Sequence, residues 1–494
     1  MTMVPDTAPK VFSWVFISVL FFAQAVFCAD HTAQGSLGEK LTSLLLKSRY
    51  PVSNVGVVLK NLDRDSVIVS LNADMPFNPA SVAKLATAAM AFDKLGTGFT
   101  YKTRAYMGGT FNADSGTCNG DLYIKGSGDP SIVIERMWLF VQYLYRFGGI
   151  KKITGDIILD GSFFDSTSIG PCFEEDSSRS NPYTALVGAL SANFNSVVIC
   201  AKPASQAGSP VRVEIFPPVP TIELVNKAMT IEDKKSSAVS VTTEKIRDHT
   251  RVIVSGSMAL TAQPFYISRK LWQTSETFGA ILKMFLDENK IFCKGTVRRG
   301  NLPEALRSTK PFYVYESPPI GDIINGMLKF SNNYYAEMLF KTLSAIQDSV
   351  PGSWEKSSQN AAAWWKEKGL PGTPVIRNGS GMGDCNRISA LQMVALLQHV
   401  WDQKTYLPEY LNSFPTAGVD GTLAKRFKES RLKGYVRGKT GTLNDYGVST
   451  LAGYVLMPRG NYAFSIFFND LNSKYPYVNW ETQQKILELI VPAD

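Results

Sequence analysis

The chain has 494 residues, of which 45% are hydrophobic, 19% charged and 11% aromatic, with a formal net charge of +8 at pH 7. That length exceeds one ordinary core and implies two or three domains, and the composition excludes a disordered chain. The basic residues are scattered and no basic-plus-aromatic module is visible, which argues against nucleic-acid binding, while an anionic cell-envelope surface suits the charge.

Lys10 precedes the apolar run Val11–Phe22 and the small-x-small site Ala23-Gln24-Ala25. This reads as a secretory signal peptide over residues 1–25, with an end as late as 29. The alternative is an uncleaved anchor, but the run is short for a span and broken at Gln24. Any membrane association is then peripheral or through an uncleaved N-terminal segment, and the protein is expected in the periplasm or cell envelope. The six cysteines, Cys28, Cys118, Cys172, Cys200, Cys293 and Cys385, show no zinc spacing. In an oxidising compartment one or two disulfides are expected, with the pairing left open.

Ser36–Ser48 has the pattern of an amphipathic helix, and Val55–Lys60 and Ser66–Leu71 read as two strands joined by a turn. Pro79 suits the start of a helix, and Val82–Leu95 carries apolar residues at helical spacing up to Gly96, a natural cap. From Tyr101 to Met258 the texture is β: Tyr101–Met107, Asp121–Ile124, Ile153–Leu159, Val197–Ala201, Val211–Phe216, Ala238–Thr243 and Val252–Ser255, with one clear helix over Ile134–Phe147. Helices return at Phe265–Asn289, Gly321–Lys329, Asn332–Ile346, Trp354–Lys368 and Ala390–Gln398. The end is again β, over Gly434–Thr440, Val448–Met457 and Tyr462–Asn469, before a closing helix at Trp480–Ile490. The two ends of the chain are therefore expected to share one sheet. The domain expectation is a discontinuous unit over 36–98 and 262–494, interrupted by a β-rich insert over 99–261.

The chemistry centres on Asn78-Pro79-Ala80-Ser81-Val82-Ala83-Lys84. Ser81 and Lys84 are three apart at a helix start, so a hydroxyl and an amine share one face. A Ser-His-Asp triad is disfavoured: the only histidines are His31, His249 and His399, and no G-x-S-x-G elbow is present. A lysine base needs a lowered pKa, from burial or from a second cation. Lys439, in Gly438-Lys439-Thr440-Gly441-Thr442 on an expected strand, is the candidate second cation. Single triplets decide little. S-x-x-K recurs at Ser353/Lys356 and Ser430/Lys433, and S-x-N at Ser70/Asn72, Ser191/Asn193 and Ser358/Asn360. Ser331-Asn332-Asn333 stands apart because it joins two helices, where polar side chains can point into a cleft.

Taken in order, Ser81-x-x-Lys84, Ser331-x-Asn333 and Lys439-Thr440-Gly441 resemble the penicillin-binding proteins and serine β-lactamases. About 250 residues separate Ser81 from Ser331, too many for a compact β-lactamase. The chain is similar to the D-alanyl-D-alanine carboxypeptidases of the low-molecular-mass class C penicillin-binding proteins, which carry extra domains there. Lys125-Gly126-Ser127-Gly128-Asp129-Pro130, Asn378-Gly379-Ser380-Gly381 and Gly418-Val419-Asp420-Gly421-Thr422-Leu423 also look like that family, although Asn378 stands where an Asp is expected.

The resemblance implies an α+β fold: a penicillin-binding/β-lactamase-like transpeptidase domain of antiparallel sheet and helices, interrupted by the insert. It implies that Ser81 attacks the carbonyl between two D-alanines, that Lys84 takes its proton, and that Ser331 relays that proton to the leaving amine. Asn333 then bonds the peptide or orients Lys84; Lys439 and Thr440 hold the terminal carboxylate or its equivalent in a crosslink; Gly441 and Thr442 complete the substrate-binding set; and the backbone N–H groups of Ser81 and Thr442 form the oxyanion hole. The expected partners are peptidoglycan stem peptides and crosslinks, with β-lactams as covalent inhibitors. No metal or organic cofactor is required. Two other readings stand beside this one: a β-lactamase-like hydrolase, which shares acylation but deacylates fast, and a non-catalytic wall-binding scaffold.

Overall fold

Alternating apolar residues build the central sheet. In the computed structural model, which describes residues 31–48, 50–173, 180–232, 238–247, 249–348, 351–471 and 476–492, it has five antiparallel strands. Their order is Ser66–Leu71, Val55–Asn61, Gly460–Phe468, Val448–Met457 and Val436–Leu443. An early strand thus pairs with a late one, with Val57 opposite Ile466. The expected signal peptide and Cys28 lie outside the described residues, and no helix among those residues is long and apolar enough to cross a membrane.

Both faces of the sheet are covered over its three inner strands, which are buried almost throughout, while the edge strands Ser66–Leu71 and Val436–Leu443 are more polar. Val57, Leu451 and Ile466 pack under the two terminal helices, His31–Lys47 and Pro476–Ile490, against Leu41, Leu45, Ile486 and Leu487. Val58, Ala452 and Phe467 face the other way, onto a larger helical layer. That layer holds the Lys84–Leu95, Ile320–Lys329, Asn333–Gln347, Trp354–Glu367 and Ala390–Trp401 helices, with Leu85, Phe92, Leu339, Phe340 and Trp365 buried in it.

The insert has its own core, around Ile124, Leu159, Ile199, Val254 and Leu282. Its strands form four further sheets, and two features differ from the sequence expectation. The helix expected over Phe265–Asn289 is two elements: a strand Phe265–Lys270 and a helix Ser275–Glu288. Period-two alternation wins in the first part, where Ile267 pairs with Ile199 of the neighbouring strand. The insert also continues past 261. The Ser275–Glu288 helix packs in its core, Val297–Arg299 pairs with Ile157–Asp160, and Tyr313–Glu316 pairs with Lys102–Met107. We place the return to the first domain after Glu316, at the start of the Ile320–Lys329 helix.

The insert is fastened to the helical layer. Lys341, fully buried on the Asn333–Gln347 helix, donates to Asp165 Oδ1 at 2.6 Å and to the Thr167 carbonyl at 2.8 Å. Cys172 is disulfide-bonded to Cys385, joining residues 213 apart in sequence. Cys118, Cys200 and Cys293 are free thiols.

Candidate active site

Ser81 lies in a 3₁₀ turn, Ala80–Ala83, and Lys84 opens the α-helix that follows. Residues i and i+3 eclipse in a 3₁₀ turn, which stacks the two side chains more directly than an α-helix would. The Lys84 Nζ donates to Ser81 Oγ at 2.8 Å. It also donates to Asn333 Oδ1 at 2.7 Å and to the Ser380 carbonyl at 2.8 Å; the ammonium form uses all three of its N–H bonds here, and in the free-amine form the Ser81 hydroxyl donates to the Nζ lone pair instead. The turn is clamped from two sides. Asn78 Oδ1 accepts from the Ala80 N–H at 2.9 Å, and Thr450 Oγ1, on the central sheet, donates to the Pro79 carbonyl at 2.8 Å.

Asn333 opens its own helix, capped by the Asn332 side chain, which accepts from the Tyr335 N–H at 3.0 Å. Its amide orientation is set by two opposite contacts: Oδ1 faces Lys84, and Nδ2 donates to the Tyr183 carbonyl of the insert at 3.1 Å. Ser331, in the preceding turn, has φ +56°, a left-handed conformation that costs a serine about 1–3 kcal/mol. Contacts on either side hold it there. Lys439 Nζ donates to Ser331 Oγ at 2.8 Å, and Lys329 Nζ donates to Asp420 Oδ2 at 2.6 Å.

Lys439, Thr440, Gly441 and Thr442 lie on Val436–Leu443, the edge strand of the central sheet. Lys439 Nζ also donates to the Thr440 carbonyl at 2.7 Å, and Thr440 Oγ1 donates to Thr422 Oγ1 at 2.9 Å. Gly441 is required by the close passage of this strand over the serine turn. A Cβ there would sit 2.2 Å from Thr450 Oγ1 and 2.9 Å from the Ser81 nitrogen.

Burial separates the roles available to these groups. Lys84 and Lys439 are fully buried, whereas Ser81, Ser331, Asn333, Thr440 and Thr442 reach partly into solvent. Burial lowers the Lys84 pKa to about 7, against a smaller opposing effect of the Glu337 carboxylate. Lys439 is pushed well below the ordinary lysine range by burial and by the Lys84 charge. A second cation is present as expected, but its repulsion acts chiefly on Lys439, and burial is what lowers Lys84.

The remaining motifs have local work. Ser353 caps the Trp354–Glu367 helix by accepting from the Lys356 N–H, and Ser430 Oγ donates to Glu488 Oε1. Asn72 Nδ2 donates to the carbonyls of Val52 and Val55, Asn193 Oδ1 accepts from the Ile134 N–H, and Asn360 Nδ2 donates to Asp348. His249 bonds Glu223 within the insert, and His399 packs edge-on against Trp364. Ser353→Ala should therefore lose about 1 kcal/mol of helix capping and leave active-site acylation unchanged. Thermal melts and penicillin labelling of the variant check both halves.

Sequence reasoning gave no role to Asn78 or Ser380, although both lie in stretches it singled out, and missed Tyr183 and Glu337. Glu337 had a signal of its own: it lies four residues after Asn333, on the buried side of an apolar helix, where a carboxylate needs a reason. Asn378 has an account too. Its Nδ2 donates to the carbonyls of Pro171 and Met382 at 3.0 and 2.9 Å, and an Asp in its place would have no donor for them.

The fold and this pairing of two buried lysines with two partly exposed serines are those of a serine hydrolase of the penicillin-binding type. Comparison with known proteins narrows the class. The chain belongs to the D-Ala-D-Ala carboxypeptidase 3 (S13) family, whose sequence profile matches residues 37–486. It is 28% identical over 432 residues to the D-alanyl-D-alanine carboxypeptidase of Actinomadura sp. (strain R39), covering 85% of this chain and 78% of that protein. Its structure matches the crystal structure of penicillin binding protein 4 (dacB) from Haemophilus influenzae with a TM-score of 0.77 and 26% identity, over 90% of this chain and 98% of that one. The same Haemophilus protein complexed with a novel β-lactam matches with a TM-score of 0.72 and 25% identity, over the same shares.

Proposed function

We propose that this protein is a serine-type D-Ala-D-Ala carboxypeptidase, DD-endopeptidase or both, acting on peptidoglycan stem peptides through a Ser81 acyl-enzyme. One observation carries the reading: a buried Lys84 amine, with its pKa brought to about 7, sits 2.8 Å from the Ser81 hydroxyl. An amine at its ordinary pKa is protonated and accepts nothing, whereas one near 7 is a competent base at neutral pH.

In the proposed cycle the Lys84 amine takes the Ser81 proton as Oγ bonds to the carbonyl carbon between two D-alanines. The carbonyl oxygen becomes an oxyanion, held by the backbone N–H groups of Ser81 and Thr442. Such donors contribute about 3–4 kcal/mol each where measured. The C–N bond breaks as Ser331, whose hydroxyl oxygen already accepts from Lys439, gives its own hydrogen to the leaving amine and regains one from the proton that Lys84 took, which leaves Lys84 neutral. Water then attacks the ester carbon, its proton passes to Lys84, and Lys84 returns a proton to Ser81 Oγ as the acyl C–O bond breaks. Lys439, Thr440 and Gly441 hold the substrate carboxylate, and an anion docked there restores the Lys439 charge that burial suppresses. Asn333 aligns the peptide. A β-lactam follows the same first step and leaves slowly. The leader-like N-terminus supports secretion to the periplasm or cell envelope.

The test is digestion of purified sacculi by the full mature chain. Loss of crosslinked dimers means endopeptidase, and release of D-alanine from pentapeptide ends means carboxypeptidase. Turnover of penicillin with neither peptide reaction would overturn the proposal in favour of a β-lactamase-like hydrolase. Binding without any turnover would leave a scaffold.

A further inference from the structure

Glu337 is 1% exposed and lies one helical turn beyond Asn333. A carboxylate buried this deeply costs several kcal/mol unless its oxygens are satisfied. They are. Oε1 accepts from the Ser380 N–H at 2.8 Å, and Oε2 accepts from the Trp354 indole N–H at 2.7 Å and the Gly379 N–H at 3.2 Å. All three partners are donors, which suits an acceptor-only carboxylate.

The turn that Glu337 holds is the one whose Ser380 carbonyl accepts from Lys84. It is wedged between two helices. Thr87, on the Lys84 helix, donates to the Gly379 carbonyl at 2.8 Å, and a Cβ on Gly381 would lie 1.8 Å from the Ala80 carbonyl oxygen. One residue therefore links the two groups: Ser380 meets the carboxylate through its N–H and the amine through its carbonyl.

We propose that Glu337 is a positioning residue for Lys84: its carboxylate fixes the Gly379–Ser380 turn so that the Ser380 carbonyl aims the lysine amine at Ser81, and its negative charge favours the ammonium form. This rests on the reading of Lys84 as the base. The groups facing Lys84 are Ser81 on its own turn, Asn333 and Glu337 from the Asn333–Gln347 helix, the Ser380 carbonyl, and Lys439 from the edge strand. Those facing Glu337 are Trp354 from the next helix, the backbone of 379–380 and, one turn on, Lys341, whose amine is engaged by Asp165. Among the described residues, Glu337 is thus the anion that acts on Lys84, against the effect of burial.

The sign follows. An anion beside Lys84 stabilises its protonated form, so removing the charge lets the amine lose its proton at lower pH. The experiment is the second-order rate of acylation by a fluorescent penicillin across pH 5–10, for the full mature chain and for Glu337→Gln and Glu337→Asp. Wild type should rise with a midpoint near 7. Glu337→Gln should shift that midpoint down by about one unit. Its plateau should fall about tenfold, because an amide NH₂ now opposes one of three donors. Glu337→Asp keeps the charge on a shorter arm, so its midpoint should stay near 7 while the plateau falls several-fold. An unmoved midpoint in the Gln variant, or an Asp variant matching wild type in both respects, overturns the proposal. If Glu337→Gln does not fold, the Asp variant decides alone. A wild-type protein that is never labelled fails the acyl-enzyme reading instead.

Discussion

Ser81→Ala is expected to abolish covalent labelling by penicillin and to reduce peptide turnover by at least ~10⁴-fold. Removing the attacking oxygen leaves binding and the oxyanion donors in place, so residual catalysis over water can persist while the acyl-enzyme cannot form. The fold should be retained. Ser81 Oγ is one of three acceptors on the Lys84 amine, and the serine turn is held separately by Asn78 and Thr450. The loss of one hydrogen bond costs about 1 kcal/mol, a small change in melting temperature for a chain this long. Intact mass after exposure to a β-lactam is the direct measurement. An adduct of full occupancy on the variant, mapped to any other residue, would remove Ser81 as the nucleophile.

Lys84→Met should lower acylation by about 10²–10⁴-fold, the range a positioned general base supplies. The wild-type rate should fall about tenfold per pH unit below a midpoint near 7, because the protonated amine accepts no proton. The variant's residual rate should lose that limb. Stability should move the other way. The folded-state pKa is about 7 against an ordinary lysine value of 10.5, so between these values the unfolded chain holds a proton that the native state lacks. The native state is therefore penalised most below pH 7, where the buried amine must carry its charge, and the penalty fades as pH rises toward 10.5. A methionine of similar length removes the penalty. The melting-temperature advantage of Lys84→Met over wild type should be largest below pH 7 and shrink at alkaline pH. Acylation with normal rate and normal pH dependence in the variant would exclude Lys84 as the base.

Much of this site was legible in the residues. A serine and a lysine three apart at a helix start lie together whatever the rest of the chain does, because helical geometry is local. Ser331-Asn332-Asn333 could be read as a polar joint between helices. The strands Val55–Asn61 and Gly460–Phe468 showed themselves by apolar runs of strand length, which is also a local property. The break inside 265–289 was harder to see, because a half-buried strand followed by a helix has nearly the apolar density of one long helix. The late end of the insert was invisible for a different reason. Tyr313–Glu316 belongs to the insert only by pairing with Lys102–Met107, some 200 residues earlier, and no local pattern announces a partner that far away.

By itself, the order of residues determined which reactive groups exist, which of them sit on one turn, and that two ends of the chain return to one sheet. Tertiary structure alone decided what those groups are worth chemically. The pKa of Lys84 is lowered by its complete burial, and its amine is held by Asn333 and the Ser380 carbonyl, which are brought to it from hundreds of residues away. The pairing of Cys172 with Cys385 and the reach of the Tyr183 carbonyl to Asn333 were decided in the same way. The physical reason is range. Period and turn geometry act over a few residues, whereas desolvation and charge depend on everything that packs around a group, and only the folded chain sets that packing.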